Sequence, residues 1–98
     1  MAYDVKEIAK KIIAKTDIEH GDTISNLKLQ KMLYYMQGFH LAFFDTPLFD
    51  DEIYAWQYGP VVPSVYNEYK RYNAKAINLP KGDIIRLTDD EETVLSND

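Results

Sequence analysis

The sequence contains no cysteine, only four glycines and four prolines among its 98 residues, and no long uninterrupted apolar run. The absence of cysteine excludes disulfide bonds, thiolate metal sites and cysteine nucleophiles, and it is typical of proteins from a reducing compartment. Charged residues interrupt every apolar stretch, so the sequence predicts neither a secretory signal peptide nor a membrane-spanning helix. A cytoplasmic protein is the resulting expectation.

The net charge of −5 arises at the C-terminal end. Residues 1–87 hold eleven basic and eleven acidic residues, whereas residues 88–98 hold five acidic residues and no basic one. A protein that binds duplex nucleic acid is expected to present a basic face, because basic side chains release counterions from the phosphates. The neutral body and acidic tail therefore argue against direct nucleic-acid binding. With 46% apolar residues, the chain predicts one folded domain over residues 1–98.

Two amphipathic helices are predicted in the first half of the chain. Apolar residues at helical spacing predict the first over residues 3–15, followed by a polar connection over residues 16–24. The second, more apolar helix is predicted over residues 27–44. Ser25 offers an N-cap, and the residues before Pro47 end the helix.

The second helix is predicted to be the centre of the core. At about 100° per residue, one arc is apolar, and part of the remaining circumference is expected to reach solvent or a partner. Gly38 lies inside this helix, and we expect a close contact with another helix to explain it. The apolar arc comprises Leu29, Met32, Leu33, Met36, His40 and Phe43, and the outer arcs carry Lys28, Lys31 and Tyr35 on one side and Gln30, Tyr34 and Gln37 on the other.

The second half predicts two strands and two further helices. Alternation over residues 52–58 places Tyr54, Trp56 and Tyr58 on one side of a short strand, and residues 59–64 predict a rigid turn. A third helix follows over residues 63–72, and a second strand over residues 84–87. Residues 88–91 have the capping-box pattern of a truncated fourth helix, so residues 88–98 are an acidic tail or an incipient helix. The predicted fold is mainly α with a small β element (α+β), three helices arranged around the central hydrophobic one.

Two motifs connect this sequence to a known family. LKLQKMLYYMQG covers residues 27–38 and AWQYGPVVP covers residues 55–63, with PLFDDEI between them at residues 47–53. In this combination and order, the chain resembles the Panacea domain family, the SocA-like antitoxins also described as phage-associated GepA-like proteins. The resemblance extends over about residues 3–95. Members usually continue the helix that begins at Thr88, and this chain departs from them there.

The resemblance implies a mostly helical bacterial or prophage-encoded antitoxin that binds a protein toxin directly. In one branch of the family the domain acts as a proteolytic adaptor, so a protease is a further implied partner. A different function class stays open: a phage-encoded inhibitor of a host defence or nucleic-acid enzyme, with the acidic tail imitating a phosphate backbone. No membrane partner and no cofactor are implied.

No coherent catalytic set is present, and we predict that the protein is not an enzyme. The acidic run 50–52 has no accompanying histidine or glycine pattern of a metal loop, so a solvated turn is expected. His20 is expected at the surface and His40 in the core with hydrogen-bond partners. Ser64 lacks the Gly-x-Ser-x-Gly elbow, and helix capping or exposure explains it better. We therefore predict no catalytic, metal or cofactor residues.

Aromatic residues are the most informative feature of the composition. Twelve of the thirteen lie between Tyr34 and Tyr72, and eight of the thirteen are tyrosines. A small core cannot supply partners for so many hydroxyl groups, and tyrosine is enriched at protein interfaces. The phenylalanines and Trp56 most simply belong to the core, and the tyrosines divide between core and partner contact.

A basic edge accompanies these aromatic residues. Lys28 and Lys31 lie one helical turn apart beside Tyr35, where they would suit an acidic protein surface or a nucleic-acid backbone, with a solvated helix face as the alternative. The resulting prediction is a partner-binding surface formed by Lys28, Lys31, Tyr34, Tyr35, Trp56, Tyr58 and Tyr66.

Overall fold

Apolar residues at helical spacing begin the fold in α1, Val5–His20. The computed structural model describes residues 2–20, 24–72 and 88–91, and, within them, the side chains of all but residues 16–20 and 72. Asp4 caps α1, because its carboxylate accepts the Lys6 N–H at 2.9 Å. The predicted first helix is confirmed, but its predicted end is wrong: α1 continues to His20, since residues 16–20 contain neither glycine nor proline to stop it.

The central helix α2, Asn26–Phe44, is confirmed together with its cap. The Ser25 hydroxyl accepts the Lys28 N–H at 3.3 Å. At the other end Asp45 adopts a left-handed conformation, with φ of 58°, and donates its N–H to the Leu41 carbonyl. The helix packs against α1 and against the elements that follow it, so it forms the centre of the molecule.

A β-hairpin follows, formed by β1, Tyr54–Trp56, and β2, Gly59–Val61. The strands are antiparallel, and Trp56 pairs with Gly59 across a turn at residues 57–58. The prediction that the chain turns over residues 59–64 was wrong, because Gly59, with φ of 124°, lets the chain reverse two residues earlier. Pro60 is tolerated because each strand of a two-stranded sheet is an edge. The predicted strand at residues 84–87 lies outside the described residues.

The third helix is confirmed as α3, Pro63–Tyr69, which continues as one 3₁₀ turn over Lys70–Tyr72. Pro63 occupies the first helical turn, where its missing N–H costs nothing. The core lies between α1, α2 and α3, and residues of the loop before the hairpin complete it. Its most buried side chains are Ile8, Leu29, Leu33, Leu48, Phe49, Val62 and Val65. Within the described ranges, no helix is long and apolar enough to cross a membrane.

Buried glutamines on α2 fix the loops that pack against it. Gln30 accepts the Val62 N–H at 2.9 Å and donates to the Asn26 side chain, which donates in turn to the Tyr66 carbonyl. Gln37 accepts the Leu48 N–H at 2.7 Å and donates to the Phe49 carbonyl at 2.8 Å, so it holds the loop that follows α2.

Part of the outer circumference of α2 is exposed, as predicted, but Gln30 and Gln37 do not belong to the exposed part. Gln30 is almost completely buried and Gln37 is half-buried. Backbone groups that pack against a helix must find hydrogen-bond partners, and an amide side chain supplies both a donor and an acceptor. Helical periodicity alone assigns these two positions to the polar side of α2.

A polar cluster joins both ends of the described chain to α2. The His40 ring donates to the Thr46 carbonyl at 2.6 Å and to the Glu91 carboxylate at 2.5 Å. Glu91 also accepts from the Tyr3 hydroxyl, at 2.7 Å, and from the N–H and hydroxyl of Thr88. The capping box at residues 88–91 is confirmed, as is the assignment of His40 as a hydrogen-bonded core residue.

The Glu91 carboxylate is held in its ionised form. Burial alone would raise its pKa, but hydrogen bonds from Tyr3, His40 and Thr88 outweigh burial and lower the pKa to about 2, from an ordinary value of 4.5. The folded pKa is below the unfolded one, so the stabilisation is fully present above about pH 4.5 and is lost as the pH falls towards 2.

Replacing this carboxylate should weaken the fold and remove its acid sensitivity. We expect Glu91→Gln to lower the free energy of unfolding at pH 6 by about 2 kcal/mol, because Tyr3 and His40 lose a charged acceptor. Urea unfolding between pH 6 and pH 2 measures this, and the variant should show the flatter pH dependence. Asp90→Asn is the matched control, since Asp90 is an exposed acid next in sequence. Equal losses in the two variants would contradict the assignment.

Removing the Gln30 amide should be costly although the side chain has no charge. Gln30→Leu leaves the Val62 N–H and the Asn26 amide without their partner in a buried position, and each unsatisfied group costs about 1–3 kcal/mol. We expect urea unfolding to give a loss of about 3 kcal/mol. Gln57→Leu, at an exposed glutamine in the hairpin turn, should change the stability by less than about 0.5 kcal/mol. A Gln30→Leu variant as stable as the parent would disprove this role.

Candidate protein-binding surface

The residues that could suggest catalysis are either solvated or used by the fold. Asp50, Asp51 and Glu52 are exposed, which confirms the predicted solvated turn. The Ser64 hydroxyl donates to Asp51 at 3.2 Å, and His40 belongs to the buried cluster at the chain ends. The His20 side chain is outside the described side chains. Among the described residues, no three His, Cys, Asp or Glu side chains gather where they could hold a metal ion.

One side of α2 is left uncovered, and it is rich in large apolar side chains. Tyr34 and Tyr35 are 50% and 53% exposed, and their rings contact each other with centroids 5.7 Å apart. At about 100° per residue, exposed neighbours extend this side for more than four turns of the helix. We call it the α2 face; it consists of Leu27, Lys28, Lys31, Tyr34, Tyr35, Gly38, Leu41 and Ala42.

The β-hairpin extends the α2 face sideways. A side-chain carbon at Gly59 would lie 3.6 Å from Cε of Lys31, so the lysine stem reaches the hairpin turn. At that turn Tyr58 is 68% exposed. Beyond it, the Trp56 ring is 44% exposed and meets the ring of Tyr66 edge-on, with centroids 5.3 Å apart. The α2 face and the hairpin are therefore neighbours on one surface.

The structure thus places the seven predicted partner-binding residues on α2, on the adjoining hairpin and on α3. Lys28, Lys31, Tyr34 and Tyr35 are exposed on α2, and Trp56 and Tyr58 are exposed on the hairpin; Tyr66 is half-buried beneath Trp56. Their role as binding residues stays a prediction.

Positive charge concentrates at the N-terminal end of the α2 face. Lys28 lies in the first turn of α2, and that turn contains no acidic residue. The helix dipole is positive at the same end, so it adds to the charges of Lys28 and Lys31 rather than offsetting them. A cation in this position is unfavourable for the isolated helix and favourable for contact with an acidic partner.

Two predictions about apolar residues were wrong. Phe43 was placed in the core, but its side chain is 64% exposed, and Trp56 is not a core residue. Phe49, in contrast, is completely buried. Phe44, next to Phe43, is half-buried, and its ring lies tilted against that of His40 with centroids 4.7 Å apart.

Sequence reasoning also missed two leucines of the α2 face. Leu27 and Leu41 are exposed, although leucine is usually buried. At about 100° per residue, Leu27 lies about 40° and Leu41 about 80° from Lys31 around the helix axis. This closeness to an exposed lysine is the signal that could have found them. Exposed apolar residues in a contiguous set, rather than singly, are typical of interaction surfaces.

The acidic tail contributes to the fold as well as to the charge. Asp89 and Asp90 are exposed, but Glu91 is buried against His40 and Tyr3. Deleting residues 88–98 would therefore remove a core contact together with the negative charges, so it cannot isolate an electrostatic role of the tail.

Comparisons with known proteins agree on one family. The family model described as "Antitoxin SocA-like, Panacea domain" matches residues 29–97. The protein named Antitoxin SocA, from Caulobacter vibrioides (strain NA1000 / CB15N), is 43% identical over 54 residues, which are 55% of this chain and 29% of that protein. The match thus spans less than a third of the relative's length. No solved structure matches this chain.

The motifs on which the resemblance was recognised coincide with the structural elements of the surface. LKLQKMLYYMQG forms most of α2, and AWQYGPVVP forms the hairpin and the start of α3. The family model covers the first motif from Leu29 onwards, all of the second motif, and more than half of the residues in the sequence. This chain belongs to the Antitoxin SocA-like, Panacea domain family.

Proposed function

We propose that this protein is an antitoxin that neutralises a protein toxin by binding it directly through the α2 face and the adjoining hairpin. Membership in a family described as SocA-like antitoxins supports the class of function. The observation that carries the proposal is the exposure of Tyr34, Tyr35, Trp56 and Tyr58 side by side on a small domain.

The physical basis is the cost of leaving these side chains in water. Aromatic rings bury a large area in an interface, and tyrosine loses little conformational entropy when it is fixed. Tyr and Trp are accordingly over-represented among the residues that dominate binding energy. A surface of this kind gains most when a partner covers it, and a covered toxin is unable to reach its own target. Such a protein acts by stoichiometric binding and not by turnover.

The proposed mode of action is masking rather than delivery to a protease. Masking needs only one surface, and the α2 face with the hairpin supplies one. An adaptor must hold toxin and protease at the same time, which requires a second contact region. The half-life of the toxin, measured with and without this protein, separates the two modes: an unchanged half-life together with loss of toxicity agrees with masking.

The first test is growth rescue. We expect the product of the gene adjacent to this one in its source genome to arrest growth when expressed alone, and co-expression of this protein to restore growth. The two proteins should co-purify as a complex of fixed stoichiometry. A harmless neighbour, or a toxic one that is neither rescued nor bound, would contradict the proposal.

Alanine substitution tests the surface itself. We expect Tyr34→Ala and Tyr35→Ala each to weaken binding of the neighbouring gene product by about 2 kcal/mol, or roughly 30-fold in Kd, with a change in unfolding free energy within about 0.5 kcal/mol. Isothermal titration calorimetry and urea unfolding give the two quantities.

Phe43→Ala is the matched control for these variants. Phe43 is an exposed aromatic residue of the same helix, but it lies about 140° around α2 from Gly38 at 100° per residue. It should bind like the parent protein. Equal affinity of the parent, Tyr34→Ala and Tyr35→Ala proteins would remove the α2 face from consideration.

A further inference from the structure

Gly38 lies at the centre of the α2 face. A Cβ atom built there would have no atom of the described residues within 4 Å, apart from its two chain neighbours and the nearby backbone of α2 itself. The expectation that a close contact inside the chain explains this glycine was therefore wrong. Glycine in a helix interior is less favourable than alanine, and its φ at this position is not in the left-handed region. Within the described residues, the fold gives no reason for the missing side chain.

The surroundings of Gly38 form a shallow notch on an otherwise bulky surface. Tyr34 and Tyr35 stand one turn towards the N-terminus, Leu41 stands one turn towards the C-terminus, and the position four residues on is the small Ala42. All of them are exposed. The distance at which two helices pack depends on the side chains at the contact point, and small residues there permit the closest approach. The notch thus suits a helix that crosses α2 at Gly38.

The backbone chemistry of α2 also favours a helical occupant. Inside a helix the N–H and C=O groups bond to one another, so the α2 face offers few backbone partners to an extended segment. An extended or irregular segment laid on this face would leave its own backbone groups unpaired. A helix brings a backbone that is already satisfied and presents an apolar stripe, as in other helix-in-groove complexes.

The positive charges on the α2 face indicate which end of the partner segment is acidic. The charged residues of the α2 face are Lys28 and Lys31, both at its N-terminal end, where the helix dipole is also positive. The partner segment is therefore expected to carry acidic side chains at the end that lies there and apolar side chains where it meets Tyr34, Tyr35 and Leu41.

We infer that the toxin segment seated on the α2 face is an amphipathic α-helix that crosses α2 at Gly38 and places acidic residues against Lys28 and Lys31. This inference rests on the proposed function and specifies which element of the partner is bound. A second copy of this chain is the competing occupant, and the experiment below distinguishes it.

Substitutions at Gly38 provide the sharpest test, because a Cβ atom there would meet no side chain of the described residues within 4 Å and the position is exposed. We expect Gly38→Ala to raise the melting temperature, since alanine is the better helix former, while weakening binding of the neighbouring gene product about tenfold. Gly38→Leu should weaken binding at least about 100-fold and leave the protein folded. Asn67→Leu, at an exposed position of α3, is the matched control and should bind like the parent.

Charge reversal tests the acidic end of the partner helix. Lys28→Glu combined with Lys31→Glu should weaken binding by about 10-fold or more and reverse its salt dependence, because added salt would then screen a repulsion and not an attraction. Lys6→Glu is the control, because Lys6 is exposed in the first turn of α1, where an acidic residue is compatible with the helix dipole. Hydrogen exchange of the partner in the complex should show protection concentrated in one helical segment with acidic residues at one end.

The outcomes separate this inference from the proposed function. If Tyr34→Ala weakens binding but Gly38→Leu does not, the toxin binds this surface without a helix at the notch, and the inference is wrong while the function stands. If protection appears in an extended segment, the inference is equally overturned. If neither variant changes binding, the surface assignment fails as well. If the isolated chain is a dimer that Gly38→Leu converts to a monomer, the occupant is a second copy and the inference is wrong.

Discussion

The hydrogen bonds of the buried Gln30 amide are the interaction on which the arrangement of this domain depends. Its oxygen accepts the N–H of Val62, the residue that joins the hairpin to α3, and its nitrogen donates to Asn26, which bonds the Tyr66 carbonyl. One side chain of α2 thereby fixes both neighbouring elements. Because these groups are buried, no water molecule can replace a lost partner cheaply, and the geometry is strongly specified.

This constraint also determines where the aromatic surface lies. The hairpin, held against the Gln30 side of α2, places its turn beside Lys31 and its Trp56 ring against Tyr66. The opposite ends of the chain are joined by a second polar cluster, in which Glu91 receives hydrogen bonds from Tyr3 and His40. With the buried side of α2 occupied by these contacts, its remaining side is the α2 face.

The α2 helix therefore carries both buried and exposed apolar residues in one short sequence. Leu29, Leu33 and Met36 pack in the core, while Tyr34, Tyr35 and Leu41 point away from it. Both sets are apolar, which is why the helix has no strong contrast between a polar and an apolar side. A helix that is apolar around most of its circumference is usually buried, whereas Tyr34, Tyr35 and Leu41 of α2 are exposed. This exposure supports the partner contact proposed above. Under the proposed function, membership in the SocA-like antitoxin family indicates that this partner is a protein toxin.

The sequence by itself determined the helices, the caps and the family. The spacing of Val5, Ile8 and Ile12 predicts α1, Ser25 and the Thr88–Glu91 capping box are readable from residue type, and two ordered motifs identify the family, because each of these signals is local. The sequence also predicts the burial of His40, but tertiary structure alone decided that Gln30 and Gln37 pack inward. Both glutamines lie on the polar side of α2 by periodicity. In the folded chain, however, Gln30 accepts the Val62 N–H and Gln37 accepts the Leu48 N–H. Tertiary structure also decided that Phe43 is exposed and that Gly38 faces open space, since periodicity gives an angle around a helix and not the extent of what packs against it.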